Sequence, residues 1–174
     1  MLKRLRVKGR RFRRDEGGYS SAEFVVVLTT FMTGFAWVFE SGTINIRQMM
    51  LDRAVDLVVR DLRLYNNPNY SHDFMKAEIC RYAYVFQNCD QRLFLDLQPV
   101  NLATGYTKTY SCYDKENDVN PITTWNRGAR QEIVYMRACI IVDPMMPNGV
   151  ALFPNVQATG VPLVSDTAFM NEPA

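Results

Sequence analysis

Residues Phe24 to Phe39 read FVVVLTTFMTGFAWVF, sixteen residues without a charge. With Tyr19 to Glu23 added, a helix of twenty-one residues spans about 31 Å, close to one hydrocarbon thickness. Such a segment belongs either in the interior of a protein or in a bilayer, and its flanks favour the bilayer. Lys3, Arg4, Arg6, Lys8, Arg10, Arg11, Arg13 and Arg14 stand on one side, and no comparable cluster follows Phe39. That asymmetry puts the N-terminal side in the cytoplasm. The first sixteen residues hold eight basic side chains against Asp15 and Glu16, whereas the remainder holds twelve basic and sixteen acidic ones. A basic tail thus precedes an acidic body, which argues for a membrane boundary and against nucleic acid as a partner. The expected division is a cytoplasmic basic leader over 1–18, a transmembrane helix over 19–41 and a periplasmic head over 42–174. Cleavage by ordinary signal peptidase is not expected. The run ends Val38-Phe39-Glu40-Ser41-Gly42, with Glu40 where a small residue is required.

The junction Arg13-Arg14-Asp15-Glu16-Gly17-Gly18-Tyr19-Ser20-Ser21-Ala22-Glu23-Phe24 is the unusual part. A glycine pair before an apolar helix gives a protease an extended strip free of side chains, with Gly18 as the scissile position. Glu23 then lies at the lip of the hydrocarbon, where an ionised carboxylate is costly. Cutting after Gly18 would create an α-amine on Tyr19 in the same layer, able to neutralise Glu23 within one chain or between neighbours. Glu23 is also expected in the first helical turn, where the dipole favours negative charge. The competing reading is that Glu23 snorkels to headgroup level without a partner.

Gly18, Tyr19-Ser20-Ser21-Ala22 and Glu23-Phe24 together resemble the prepilin-peptidase junction of type IV pilins and pseudopilins. There the cut follows a glycine, and a glutamate is the fifth mature residue. The wider stretch from Arg13-Arg14-Asp15-Glu16-Gly17 to Val38-Phe39-Glu40 resembles the TadE-like proteins of the tight-adherence (Tad/Flp) pilus system. Two further patches agree in order along the chain: Phe74 to Cys80, then Cys89, then Arg92-Leu93-Phe94-Leu95-Asp96-Leu97; and Ala168-Phe169-Met170-Asn171-Glu172-Pro173. Residues 100 to 130 carry no such likeness. Phe24 stands where the small Tad major pilin typically has tyrosine, and this chain is far longer, so it does not resemble the fibre's main subunit. The resemblance implies a non-catalytic minor pilin or pseudopilin of the bacterial inner membrane, with its head in the periplasm. The implied partners are a prepilin peptidase, sibling pseudopilins, the pilus assembly platform and the major Flp pilin.

Beyond the apolar run, Leu51, Val55, Val58, Leu62 and Tyr65 form one stripe, so the helix is expected to continue over Ile44 to Tyr65, with Gly42 loosening it. Asn66-Asn67-Pro68-Asn69 ends it. A second helix is expected over Ser71 to Tyr84, with Phe74, Ala77, Ile79 and Cys80 inward and His72 as a capping or surface residue. Arg92 to Val100, Glu132 to Val142 and Gly160 to Phe169 read as strands, the last at an edge because of Pro162. The expected class is α+β: a long N-terminal helix followed by a small head with a short antiparallel sheet.

Cys80, Cys89, Cys112 and Cys139 all fall on the side that the charge rule puts outside the cytoplasm, where disulfides persist. Three pairings are possible. The short Cys80–Cys89 loop favours that bond and leaves Cys112 with Cys139; four buried thiols are the alternative. No C-x-x-C pair occurs, so no metal or redox site is expected. Asp114 to Asn120 has oxygen ligands at alternating positions, but Val119 replaces the turn glycine of a calcium loop and Trp125 its closing glutamate. With one histidine, no phosphate loop and no nucleophile elbow, neither catalysis nor a cofactor is expected. Thr29 with Thr33, and Thr30 with Gly34, place small residues at helix-packing spacing. The rival function is a single-pass membrane-anchored periplasmic enzyme or ligand-binding protein with an unprocessed N-terminus.

Overall fold

The computed structural model describes residues 19–64, 70–100, 112, 123–129, 131–145 and 160–172, with Tyr19, Ser20 and Leu64 described as backbone only. The chain divides into two units, Met1–Ser41 and Gly42–Ala174. One helix, α1 (Tyr19–Leu64), runs through both. Gly42 does not interrupt it: the i−4 hydrogen bonds are made by backbone groups that glycine also carries, and a single glycine costs a helix only about 1 kcal/mol.

In the first unit, α1 is apolar on every side. Its large hydrophobic side chains from Phe24 to Phe39 are 43% to 72% exposed. It is a helix long and apolar enough to cross a membrane. Its threonine hydroxyls are satisfied within the helix: Thr29 donates to the Val25 carbonyl at 2.7 Å, Thr30 to Val26 at 2.9 Å and Thr33 to Thr29 at 2.8 Å. A polar group in an apolar surrounding loses little when its hydrogen bond is intrahelical.

The second unit is an α+β head. The helical stripe Leu51, Val55, Val58 and Leu62 is buried together with Ile44, Ala54 and Val59, while Tyr65 and the Asn66–Asn69 breaker lie outside the described residues. Next come α2 (His72–Tyr82), the short α3 (Cys89–Arg92), β1 (Leu93–Pro99), β2 (Ile133–Val142) and β3 (Val161–Met170). Ser71 caps α2, its hydroxyl accepting from the Phe74 amide at 3.2 Å. The helix stops at Tyr82, two residues short of the expected end. Its inward row is also different: Met75, Ile79 and, just beyond the helix, Ala83 are fully buried at spacings of four, whereas Phe74 and Ala77 are exposed and Cys80 is half-buried. Phe74 packs edge-on against Tyr70 instead, at 5.4 Å between ring centres.

The sheet is antiparallel in the order β1-β2-β3. Its register places Leu95 opposite Ala138 and Ala138 opposite Ser165. Strand alternation then gives one buried face, built from Leu93, Leu95 and Leu97, from Val134, Met136, Ala138 and Ile140, and from Leu163 and Phe169. This face and the α1 stripe share one core cluster with Met75 and Ile79. Pro162 does sit on an edge strand, where its missing N–H removes no ladder bond.

Candidate functional site

Of the two residues flanking the expected cut, Gly18 lies outside the described residues and Tyr19 is the first residue of α1. Glu23 is exposed and is the fifth residue of that helix, so the first turn contains no acid. This corrects the expectation of a dipole contribution, which falls off within the first turn. The spacing has another consequence: residues four apart share a helix face about 5 to 6 Å from one another. Tyr19 and Glu23 are four residues apart in the backbone of α1. Between Tyr19 and Phe39, Glu23 is the single charged side chain. Gly34 has no atom within 4 Å of where a Cβ would stand, so the small face formed with Thr30 is open. Glu40, which closes the apolar run, is 1% exposed.

In the head, Cys80 is bonded to Cys89 and Cys112 to Cys139, with Cα separations of 5.7 and 5.5 Å, inside the usual disulfide range. The first bond joins the end of α2 to the start of α3. The second anchors residue 112 to β2 on the sheet face opposite the core. His72 is in the first turn of α2, its ring edge-on to Trp125 at 5.3 Å and its Nδ1 3.3 Å from Asp73. His72 is therefore neither the cap, which is Ser71, nor a freely exposed residue: it is half-buried, with its Nε2 out of contact with solvent.

Several structural residues carried no sequence signal. Asp96 on β1 is 9% exposed; its carboxylate accepts from the Thr124 amide at 2.9 Å and from the Gln98 side chain at 3.1 Å. The Leu97 amide donates to the Thr124 carbonyl and the Asn126 amide to the Leu97 carbonyl, both at 2.8 Å, so residues 124–126 close the outer edge of β1. Across the sheet, Arg137 stands opposite both Asp96 and Asp166 and pairs with Asp166 at 3.6 Å. Gln48 of α1 donates to the Val164 carbonyl on β3 at 2.9 Å.

The C-terminal patch has a similar role. Phe169 is buried, and the Asn171 side chain donates to the Arg127 and Ala129 carbonyls at 2.7 and 3.0 Å. Glu172 reaches Arg63 on α1 at 3.5 Å. These residues fasten Arg127 to Ala129 to the end of β3 and the end of β3 to the helix. Among the described residues, no three His, Cys, Asp or Glu side chains converge as metal ligands. Asp114 to Asn120 lie outside the described residues. Among the described residues, one shallow depression of about 310 Å³ lies beside Arg63, Arg127 and Glu172, and another of about 160 Å³ beside Arg47, Phe86, Arg92 and Asp143. Both are open to solvent, and neither brings a nucleophile together with a base.

No protein-family model, curated protein or solved structure matches the chain.

Proposed function

We propose that this protein is a TadE-like minor pilin or pseudopilin that acts in assembly of a Tad-type pilus, without catalysis and without a cofactor. Residues 1–18 form its cytoplasmic leader, α1 holds it in the bacterial inner membrane over 19–41, and the head over 42–174 stands in the periplasm. A prepilin peptidase cuts between Gly18 and Tyr19. The observation that carries the reading is the placement of one carboxylate, Glu23, a single helical turn beyond Tyr19 in a stretch of α1 that is otherwise uncharged as far as Phe39 and whose large apolar side chains are exposed. An ionised acid in hydrocarbon is costly unless neutralised. The freed α-amine of Tyr19, its own or a neighbour's, supplies the countercharge in the same layer. Sibling pseudopilins and the assembly platform are then the partners of the helix, with the major Flp pilin joining during fibre growth. Two disulfides suit an oxidising compartment.

The test is Glu23→Val. Removing a polar group from the apolar segment leaves membrane insertion intact or improves it. Co-isolation with the other pilus-assembly proteins should fall while the amount in the membrane holds. Undiminished co-isolation of the Glu23→Val protein would remove Glu23 from the mechanism.

A further inference from the structure

The two outer strands of the head's sheet end differently. Residues 124–126 close the edge of β1, whereas half of the β3 edge is open. The direction of the β3 backbone shows which half. The Asn171 amide donates to the Glu132 carbonyl and the Asn171 carbonyl accepts from the Gln131 amide, both at 3.1 Å, so Asn171 turns toward β2. The register is unbroken from Val161 to Met170, and backbone direction alternates along an antiparallel strand. Pro162, Val164, Asp166, Ala168 and Met170 therefore turn their backbone groups away from the sheet. Gln48 agrees with this parity, since it reaches the Val164 carbonyl from outside the ladder. Pro162 has no N–H to offer and Gln48 occupies the Val164 carbonyl, so the first half of the edge is guarded. The second half is not. Asp166, Ala168 and Met170 are exposed, and no group among the described residues bonds to their outward N–H and C=O.

The charges beside this edge say what fits it. Gln48 also donates to Asp52 at 3.0 Å, which brings the Asp52 carboxylate to the same edge on the core side of the sheet. The exposed Asp56, four residues further, shares that helix flank. Asp166 stands on the other face, and the strand runs on to Glu172. Arg137 and Arg63 offset these last two at 3.6 and 3.5 Å, longer than a charge-assisted hydrogen bond. Four carboxylates thus border the edge against two guanidiniums. A second β3 would bring further acid to an acidic edge, whereas a basic strand is attracted to it.

We infer that the outer edge of β3, from Val164 to Met170, takes an extended segment of another protein as a fourth strand, one that alternates apolar with basic residues. The outward backbone groups of Asp166, Ala168 and Met170 supply the ladder. Apolar residues of the segment continue the face that carries Val164 and Met170, and its basic residues meet Asp52 and Asp56. The contact belongs to the head alone and stands whether or not the chain is cut at Gly18.

The test is hydrogen exchange read at single amides of the full chain in detergent, alone and with a short capped peptide of alternating valine and lysine. Alone, the Asp166, Ala168 and Met170 amides should exchange fast while those of Thr167 and Phe169, turned toward β2, stay protected. With peptide at about ten times its dissociation constant, exchange at the three outward amides should slow about tenfold. The same peptide with glutamate for lysine should give no protection. Ala168→Pro has the parity of Pro162 and removes no ladder bond, so the head should keep its fold while the peptide's protection of Asp166 and Met170 is lost. Protection that grows with protein concentration in the absence of peptide would make a second copy the occupant and overturn the basic partner. Equal protection by the glutamate peptide, or none by the lysine peptide, would overturn it as well. Slow exchange at the three outward amides in dilute protein would overturn the open edge itself.

Discussion

Replacing Asp96 with alanine is expected to loosen one edge of the sheet. The carboxylate holds the Thr124 amide at 2.9 Å and the Gln98 side chain at 3.1 Å, at a site only 9% exposed. Hydrogen bonds to a charged group contribute about 1.5 to 3 kcal/mol each, and stranding the Thr124 amide adds to the loss. Gln98 is half-buried and recovers water as a partner, so the net cost is about 2 to 4 kcal/mol. Asp96→Asn keeps an acceptor oxygen for Thr124 and should cost about 1 kcal/mol. The Arg137–Asp166 pair persists in both variants, which confines the change to β1 and its edge segment. Trp125 lies on that segment, so its emission follows the edge directly. The assay is urea unfolding of the full chain in detergent, read by Trp125 in a Trp37→Phe background. Hydrogen exchange at the Leu97 and Asn126 amides should also speed up, because each is bonded across the edge that Asp96 secures. An Asp96→Ala protein within about 0.5 kcal/mol of the parent, a change usual for an unengaged surface residue, would refute the clamp.

Two further outcomes follow from the disulfides and the charge asymmetry. Loop-closure entropy gives about 2.7 kcal/mol for a loop of about ten residues and about 3.6 kcal/mol for one of about twenty-eight, so removing Cys112–Cys139 should destabilise the head more than removing Cys80–Cys89. Paired Cys→Ala variants compared by urea unfolding check the order, and equal or reversed losses would contradict it. A reporter active only in the periplasm, fused after Ala174, should be active if the proposed topology holds, since eight basic residues before Tyr19 favour a cytoplasmic location for that side. Activity of a cytoplasm-only reporter at that position would reverse the orientation.

The periodic elements were legible in the sequence, and the tertiary fasteners were not. The Leu51-Val55-Val58-Leu62 stripe repeats at helical spacing within one segment, so it declares its buried face locally. The three strands were found for the same reason, through β-rich runs bounded by turn residues. On α2, two rows compete: Phe74, Ala77 and Ile79 on one reading, Met75, Ile79 and Ala83 on the other. The flexible methionine fills the gap over the sheet, and the larger Phe74 finds Tyr70 instead. Asp96 gave no warning because an acid in an alternating strand ordinarily faces solvent, and its backbone partner is twenty-eight residues away. Asn171 is similar, bonded to carbonyls 44 and 42 residues earlier. At the junction the sequence gives the residue types and spacing, and the structure adds that Glu23 is the fifth residue of α1.

The N-terminal residue of the protein recovered from membranes of cells with an active prepilin peptidase tests the pilin reading most directly. Intact-mass and terminal-peptide spectrometry should find Tyr19 at the N-terminus, the leader through Gly18 having been removed. A Gly18→Leu variant should still insert but keep its leader and run above the parent by about the mass of eighteen residues, roughly 2 kDa, since a bulky side chain fills the strip the peptidase must bind. Met1 still present on the parent protein in those cells would contradict processing at Gly18 and, with it, the role assigned to Glu23.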